Sequence, residues 1–182
     1  MSDPIYITRR LTWVDDKGNS HEELESDILD KFSQPVVVLG DPGLGKTFLM
    51  EKLGEREDCR FVRATSFLRW PDAPINGNQR LVIDGLDEVA AAQEGDPLHN
   101  VLKKLASLGK PRFVLSCRSA EWNSVTANID IADDYTAKPK LLTLKPLSEE
   151  EAITALSIEV SSDKAAESIN CPSSDNLRHM AF

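Results

Sequence analysis

The sequence predicts an α/β fold: five parallel strands in one sheet, with helices on both of its faces. Two observations predict it. Short β-branched apolar runs alternate along the chain with longer stretches of helical character, the pattern of a parallel sheet whose strands are joined by helical crossovers. The first such run, Pro35 to Leu39, is apolar at every position, as a strand covered on both faces must be. No internal repeat competes with this reading.

The elements follow in order. Residues 1–33 are polar, and in the acidic stretch from His21 to Asp30 and just beyond it Leu24, Ile28 and Phe32 fall four apart, which predicts one amphipathic helix leading into the sheet. The strand Pro35 to Leu39 ends in a glycine-rich turn, and a helix is expected from Lys46 to Arg56. Cys59 to Ala64 is more mixed and predicts a strand nearer the sheet edge, after which Trp70-Pro71-Asp72-Ala73-Pro74 breaks regular structure. The third strand, Arg80 to Ile83, is short and ends in acidic residues. Leu98, Val101, Leu102, Leu105 and Leu108 recur at steps of three and four, one stripe of a helix that Gly109 closes. Pro111 opens a fourth strand, Arg112 to Ser116, and the fifth is Leu141 to Leu144. Ser148 with Glu151 three residues on is a capping box, so a helix is expected over 149–160. From Ser161 the chain is rich in Ser, Asp and Asn. The expected division is a lead-in over 1–33, a core domain over 34–160, and a poorly ordered tail or the start of another domain over 161–182.

Charge and composition exclude several functions. Thirty Asp and Glu against 21 Lys and Arg leave a net charge of −9, the wrong sign for gripping nucleic acid through the bulk surface, so only a local basic patch could do so. The longest apolar runs span four to five residues, far short of the roughly 20 that cross a bilayer, so no membrane span is expected. The start, MSDPIYITRR, has no basic stretch followed by an apolar region, and an intracellular, cytoplasmic address is expected. Cys59, Cys117 and Cys171 are odd in number and lack metal-ligand spacing, which predicts reduced thiols and neither a disulfide framework nor a zinc site.

Gly40-Asp41-Pro42-Gly43-Leu44-Gly45-Lys46-Thr47 fits the G-x-x-x-x-G-K-[ST] phosphate loop at every fixed position, and it lies between a buried strand and a helix start. Glycines are needed because successive backbone N–H groups must turn inward around phosphate oxygens, a conformation that a Cβ hinders. The helix N-terminus adds partial positive charge. Lys46 is suited to the β- and γ-phosphates and the Thr47 hydroxyl to Mg²⁺, a cation of hard oxygen ligands. The nucleotide-binding segment is expected to run from Gly40 through Phe48, the first turn of that helix.

The second motif is Leu81-Val82-Ile83-Asp84-Gly85-Leu86-Asp87-Glu88, a short strand whose C-terminal end carries three acids within five residues. Ligands of open parallel sheets bind at that end of the strands. Asp84 is placed to hold Mg²⁺ through its water shell. Asp87 and Glu88, expected one loop further on, can orient or deprotonate an attacking water. Glu88, with the longer reach, is the first choice as base, and Asp87 is a second metal-shell or water-positioning group.

These residues resemble the STAND-class NTPases, and within them the NACHT branch found in innate immune and bacterial antiviral defence proteins. The resemblance rests on Gly40 to Thr47, on Asp84-Gly85-Leu86-Asp87-Glu88, and on Phe113-Val114-Leu115-Ser116-Cys117-Arg118. The D-G-x-D-E form looks like NACHT and unlike the adjacent acids of most AAA+ ATPases. The resemblance implies a phosphate-loop NTPase sheet of the ASCE type, and it implies that Arg118 senses the γ-phosphate. Its neighbour Ser119 stands where the family usually has proline. A guanidinium at a strand's C-terminal end binds phosphate oxygens bidentately, which agrees with that role. The resemblance covers residues 30 to 160, and Leu147-Ser148-Glu149-Glu150-Glu151-Ala152 looks like the family's step into the helix that ends the nucleotide core. Family members continue into helical and winged-helix domains that find no match here, so the chain is expected to be a piece of a longer protein.

GTPases of this type carry an N-K-x-D tetrad after a late strand, and no such tetrad occurs, so ATP is favoured. The function expected is an ATP-binding, slowly hydrolysing switch with Mg²⁺ as cofactor, ATP or ADP as its two states and self-association as its output. A nucleotide-binding interaction module without hydrolysis is the alternative. A small-molecule kinase fits less well, since no arginine-rich lid lies between Ser119 and Lys140, and an AAA+ ATPase fits less well, since neither a neighbour-facing arginine finger nor a C-terminal helical lid is evident. Trp13, Trp70 and Trp122 are read as packing or partner contacts, and His21, His99 and His179 as surface residues.

Overall fold

The computed structural model describes residues 7–71, 79–92, 96–122 and 124–154. The five expected strands all form and run parallel: β3 (Val36–Leu39), β4 (Cys59–Arg63), β5 (Arg80–Asp84), β6 (Phe113–Cys117) and β7 (Lys140–Leu144). The sheet is nevertheless seven-stranded and mixed. Two further strands, β1 (Arg10–Val14) and β2 (Ser20–Leu24), add an antiparallel hairpin beside β7, giving the order β2-β1-β7-β3-β6-β5-β4. β4 is an edge strand, as its mixed composition predicts.

This hairpin corrects the lead-in helix expected from His21 to Asp30. The helix of that region, α1 (Glu25–Lys31), starts only where β2 ends. The cause is the turn Asp15-Asp16-Lys17-Gly18-Asn19. The Asp15 carboxylate accepts from the backbone N–H of Lys17 and of Asn19 at 2.9 and 2.8 Å, and Gly18 takes φ +84°. The turn brings Trp13 opposite His21, and their rings stack at 4.3 Å. His21 is therefore a half-buried hairpin residue at the surface, with its Nε2 3.0 Å from Asp15 Oδ2. His99 is exposed, as expected, and His179 lies outside the described residues.

The other helices are α2 (Lys46–Gly54), α3 (Ala64–Phe67), α4 (Leu86–Ala92), α5 (Pro97–Ser107) and α6 (Ser124–Tyr135). Alternate residues of each central strand enter opposite cores. Val37, Leu81, Ile83, Phe113 and Leu115 pack with α3, α4 and α5, while Val36, Val38, Val82, Val114 and Leu142 pack with α1 and α2. Each such side chain taken fully out of water contributes roughly 1.5–3 kcal/mol. The striped helix is α5, capped by Asp96, which accepts from the N–H groups of Leu98 and His99.

Thr8–Pro146 form one compact unit, which holds the whole sheet. The described residues 147–154 belong to a second unit. In it, residues 149–154 are helical and the capping box closes: Ser148 N–H donates to Glu151 Oε2 at 2.7 Å and Glu151 N–H to Ser148 Oγ at 3.2 Å. The rest of the helix expected over 149–160, and the tail from Ser161, lie outside the described residues. Among the described residues no helix is long and apolar enough to cross a membrane.

Candidate functional site

Strands β3, β6 and β5 lie side by side and, being parallel, end on one side of the sheet. Three segments far apart in sequence meet there around a cavity of about 350 Å³. The first contributes Pro42, Gly43, Gly45, Lys46 and Thr47, the second Asp84, Gly85, Asp87 and Glu88, and the third Ser116 and Arg118. Of the expected nucleotide residues, Gly40, Asp41, Leu44 and Phe48 do not line it: Gly40 is buried at the end of β3, Leu44 is half-buried, and Asp41 and Phe48 are exposed. A larger groove, about 860 Å³, runs elsewhere along Trp13, Tyr135 and Lys140, and none of the expected nucleotide residues lines it.

Gly45 caps α2 in the left-handed conformation, φ +83° and ψ 26°, and Lys46 follows as its first helical residue. A left-handed residue followed by a right-handed one turns successive N–H groups to one side, the concavity that holds anions. Lys46 Nζ donates to Gly40 O at 2.7 Å and Asp41 O at 3.1 Å, so the ammonium arches back over the loop at the cavity wall.

Asp84 is the last residue of β5 and only 4% exposed. Its Oδ1 accepts from Ser116 Oγ at 2.5 Å, and Ser116 Oγ in turn accepts from Gly85 N–H at 2.8 Å. Ser116 is fully buried and was absent from the expected site. It fixes the Asp84 carboxylate from the neighbouring strand, as hydrogen-bonded groups behind a ligand commonly do. The signal was a lone hydroxyl in an otherwise apolar strand, where a buried polar group must find a partner. The partner is identifiable only once Ile83 is registered against Leu115, which sets Asp84 beside Ser116.

Asp87 and Glu88 stand in the first turn of α4 rather than in a loop. Negative charge there is favoured by the helix dipole. The Asp87 side chain is 9% exposed, and its Oδ2 lies 2.8 Å from Arg118 Nε, while Arg118 Nη1 reaches Glu121 Oε1 at 3.4 Å. Glu88 is exposed at the cavity and stands over Gly85, where a Cβ would meet Glu88 Cδ at 3.0 Å. Gly85 itself takes φ +82°. The positive φ is what favours glycine in D-G-x-D-E, while the exposed Glu88 side chain would have to shift slightly to admit a Cβ. Gly85→Ala is expected to cost about 1–2 kcal/mol of stability through the left-handed backbone, and to displace the Glu88 carboxylate. Urea unfolding reads the first effect, and nucleotide turnover at unchanged affinity reads the second.

Cys117, next to Arg118, is buried, and burial with the nearby carboxylates of Asp87 and Glu121 pushes its thiol up to about 12. A thiol held protonated is not a nucleophile at neutral pH. Trp122 is 8% exposed, packs in the core beside α4 and α5, and does not line the cavity. Its Nε1 has no hydrogen-bond partner among the described residues. Trp13 and Trp70 also pack, Trp70 edge-on to Phe67 and under the Arg60 guanidinium at 4.3 Å.

Mg²⁺ fits this donor set. Among the described residues no cluster of three or more His, Cys, Asp or Glu could hold a metal ion alone. Thr47 and Asp84 offer hard oxygens at one cavity, which is what a cation that keeps its waters and shares phosphate oxygens needs.

No family model matches the chain, and no curated protein matches it. Among solved structures it is similar to a chain of "Structural Basis for DNA Unwinding at Forked dsDNA by two coordinating Pif1 helicases", at 17% identity and a TM-score of 0.39. The match covers 68% of this chain, which spans 42% of that one. The α/β fold with its seven-stranded mixed sheet is compatible with a phosphate-loop NTPase.

Proposed function

We propose that the chain is the nucleotide core of a NACHT-like STAND NTPase, which binds ATP with Mg²⁺, hydrolyses it slowly and controls assembly through its nucleotide state. One observation carries this: the phosphate loop, the acids after β5 and the arginine after β6, separated by tens of residues, line a single cavity. Its volume of about 350 Å³ lies within the usual size of small-molecule sites.

The loop N–H groups and Lys46 hold the β- and γ-phosphates, and Thr47 and Asp84 hold Mg²⁺, Asp84 in the orientation that Ser116 sets. Bound there, Mg²⁺ would neutralise charge on the phosphate oxygens. Glu88 takes the proton of the water that attacks the γ-phosphorus as the bond to the β-phosphate oxygen breaks and ADP leaves. Asp87 is committed to Arg118, so a γ-phosphate competes with Asp87 for the guanidinium. That competition distinguishes the triphosphate from the diphosphate state, and in the resembling family such a difference drives oligomerisation and a defence or signalling output.

The test is phosphate release from ATP and from GTP with Mg²⁺, alongside binding of each, for the wild type and Lys46→Ala. ATP turnover is expected to exceed GTP turnover, and Lys46→Ala to weaken binding by about 10- to 100-fold through loss of a charge-assisted contact. Tight ATP binding without release would instead mark a nucleotide-holding module, and no binding would overturn the proposal.

A further inference from the structure

Outside every motif, Arg9 lies beneath the phosphate loop. It immediately precedes β1 and is 8% exposed. Its Nη1 donates to Leu44 O and its Nη2 to Lys145 O, both at 2.7 Å, so one guanidinium ties the phosphate loop to the chain just past β7. Its own backbone is held as well: Arg9 N–H donates to Glu25 Oε2 at 3.1 Å, and Glu25 N–H to Arg9 O at 3.0 Å. The contact with the loop is close enough that a Cβ on Gly45 would sit 2.9 Å from Arg9 Nη1.

We propose that Arg9 is a positioning residue for phosphate binding, which sets the inward direction of the loop's N–H groups by holding the Leu44 carbonyl outward. This rests on the nucleotide reading above. The argument is peptide geometry. A trans peptide is planar, with its C=O and N–H pointing to opposite sides, so fixing Leu44 O fixes where Gly45 N–H points. Gly45 lines the cavity and Arg9 does not, and with Leu44 C=O turned to the guanidinium, Gly45 N–H points away from Arg9 across the same peptide plane.

The Leu44 carbonyl is half-buried and takes a charge-assisted hydrogen bond from the guanidinium, and a loop that turned it inward would present an acceptor to an anion. Lysine cannot substitute fully, because one ammonium does not reproduce the planar fork that spans two carbonyls. Gly45 is accordingly constrained twice, by its positive φ and by the guanidinium packed against its Cα.

The experiment measures affinity for ADP, for ATP and for inorganic tripolyphosphate in the wild type, Arg9→Met, Arg9→Lys and Leu105→Ala. Leu105 is fully buried in the core on the opposite sheet face and controls for lost stability. Arg9→Met is expected to weaken all three ligands alike by about tenfold or more, with Arg9→Lys between it and the wild type. Leu105→Ala is expected to unfold at lower temperature while its folded form binds as the wild type does. The proposal is overturned if folded Arg9→Met binds all three normally, or if its loss of affinity is matched by Leu105→Ala. Should Arg9→Met not fold, Arg9→Lys decides: wild-type affinity for all three ligands overturns the proposal, and a loss shared by the three that Leu105→Ala does not show supports it. A wild type that binds none of the three sinks the nucleotide reading itself.

Discussion

Glu88→Gln leaves nucleotide affinity unchanged and slows phosphate release by roughly 100- to 10,000-fold, the usual contribution of a positioned general base. The two neighbouring acids are separated by what each already holds. The Asp87 carboxylate is nearly buried and paired with Arg118, whereas Glu88 is exposed at the cavity one residue later on α4. Glutamine keeps the length and shape of the side chain and removes only its capacity to take a proton. The fall should therefore appear in the single-turnover rate and not in the binding constant. Asp87→Asn has a different signature. It removes the charged partner of Arg118 and so alters the ratio of ATP to ADP affinity, leaving the proton acceptor in place. If Asp87→Asn abolishes turnover while Glu88→Gln hydrolyses normally, the two roles are exchanged.

The strands that build this site were legible because they are buried on both faces. Val36–Leu39 and Phe113–Cys117 have no exposed residue, and such runs have no other stable home in a chain of this composition. The segment Gly40 to Thr47 stands out for a local reason, since the phosphate-loop pattern fixes glycines, a lysine and a hydroxyl within eight consecutive positions. The hairpin was not. In β2 the residues Ser20 to Leu24 are exposed or half-buried at every position, so no apolar alternation marks an edge strand, and Leu24, Ile28 and Phe32 at steps of four mimic a helix. The turn residues from Asp15 to Asn19 were the available signal. Ser116 and Arg9 were illegible for a third reason. Each acts through a partner distant in sequence, 32 residues away for Ser116 with Asp84 and 35 for Arg9 with Leu44. Only strand register and sheet order bring them together. Local motifs thus pick out residues that line the cavity, while the side chains that hold them emerge from tertiary pairing.

Phe113→Ala is expected to lower the unfolding free energy by about 3–5 kcal/mol, the range for deleting a fully buried aromatic ring. Phe113 begins β6, is 1% exposed and meets Tyr135 edge-on with ring centroids 5.2 Å apart. The same ring packs in the core that holds Leu81, Leu105 and Leu115. For a chain of this size the loss corresponds to a fall of about 6–20 °C in Tm, which calorimetry or urea unfolding reads. A fall in stability under about 1 kcal/mol would mean that the site collapses without leaving a cavity. The consequence for function follows from topology. β6 carries both Ser116 and Arg118 to the site, so activity lost on warming the variant should return on cooling, as the folded fraction recovers. Glu88→Gln should recover nothing when cooled, because its fold is intact and its missing group is chemical. Measured side by side at two temperatures, the two variants separate what holds the cavity together from what acts inside it.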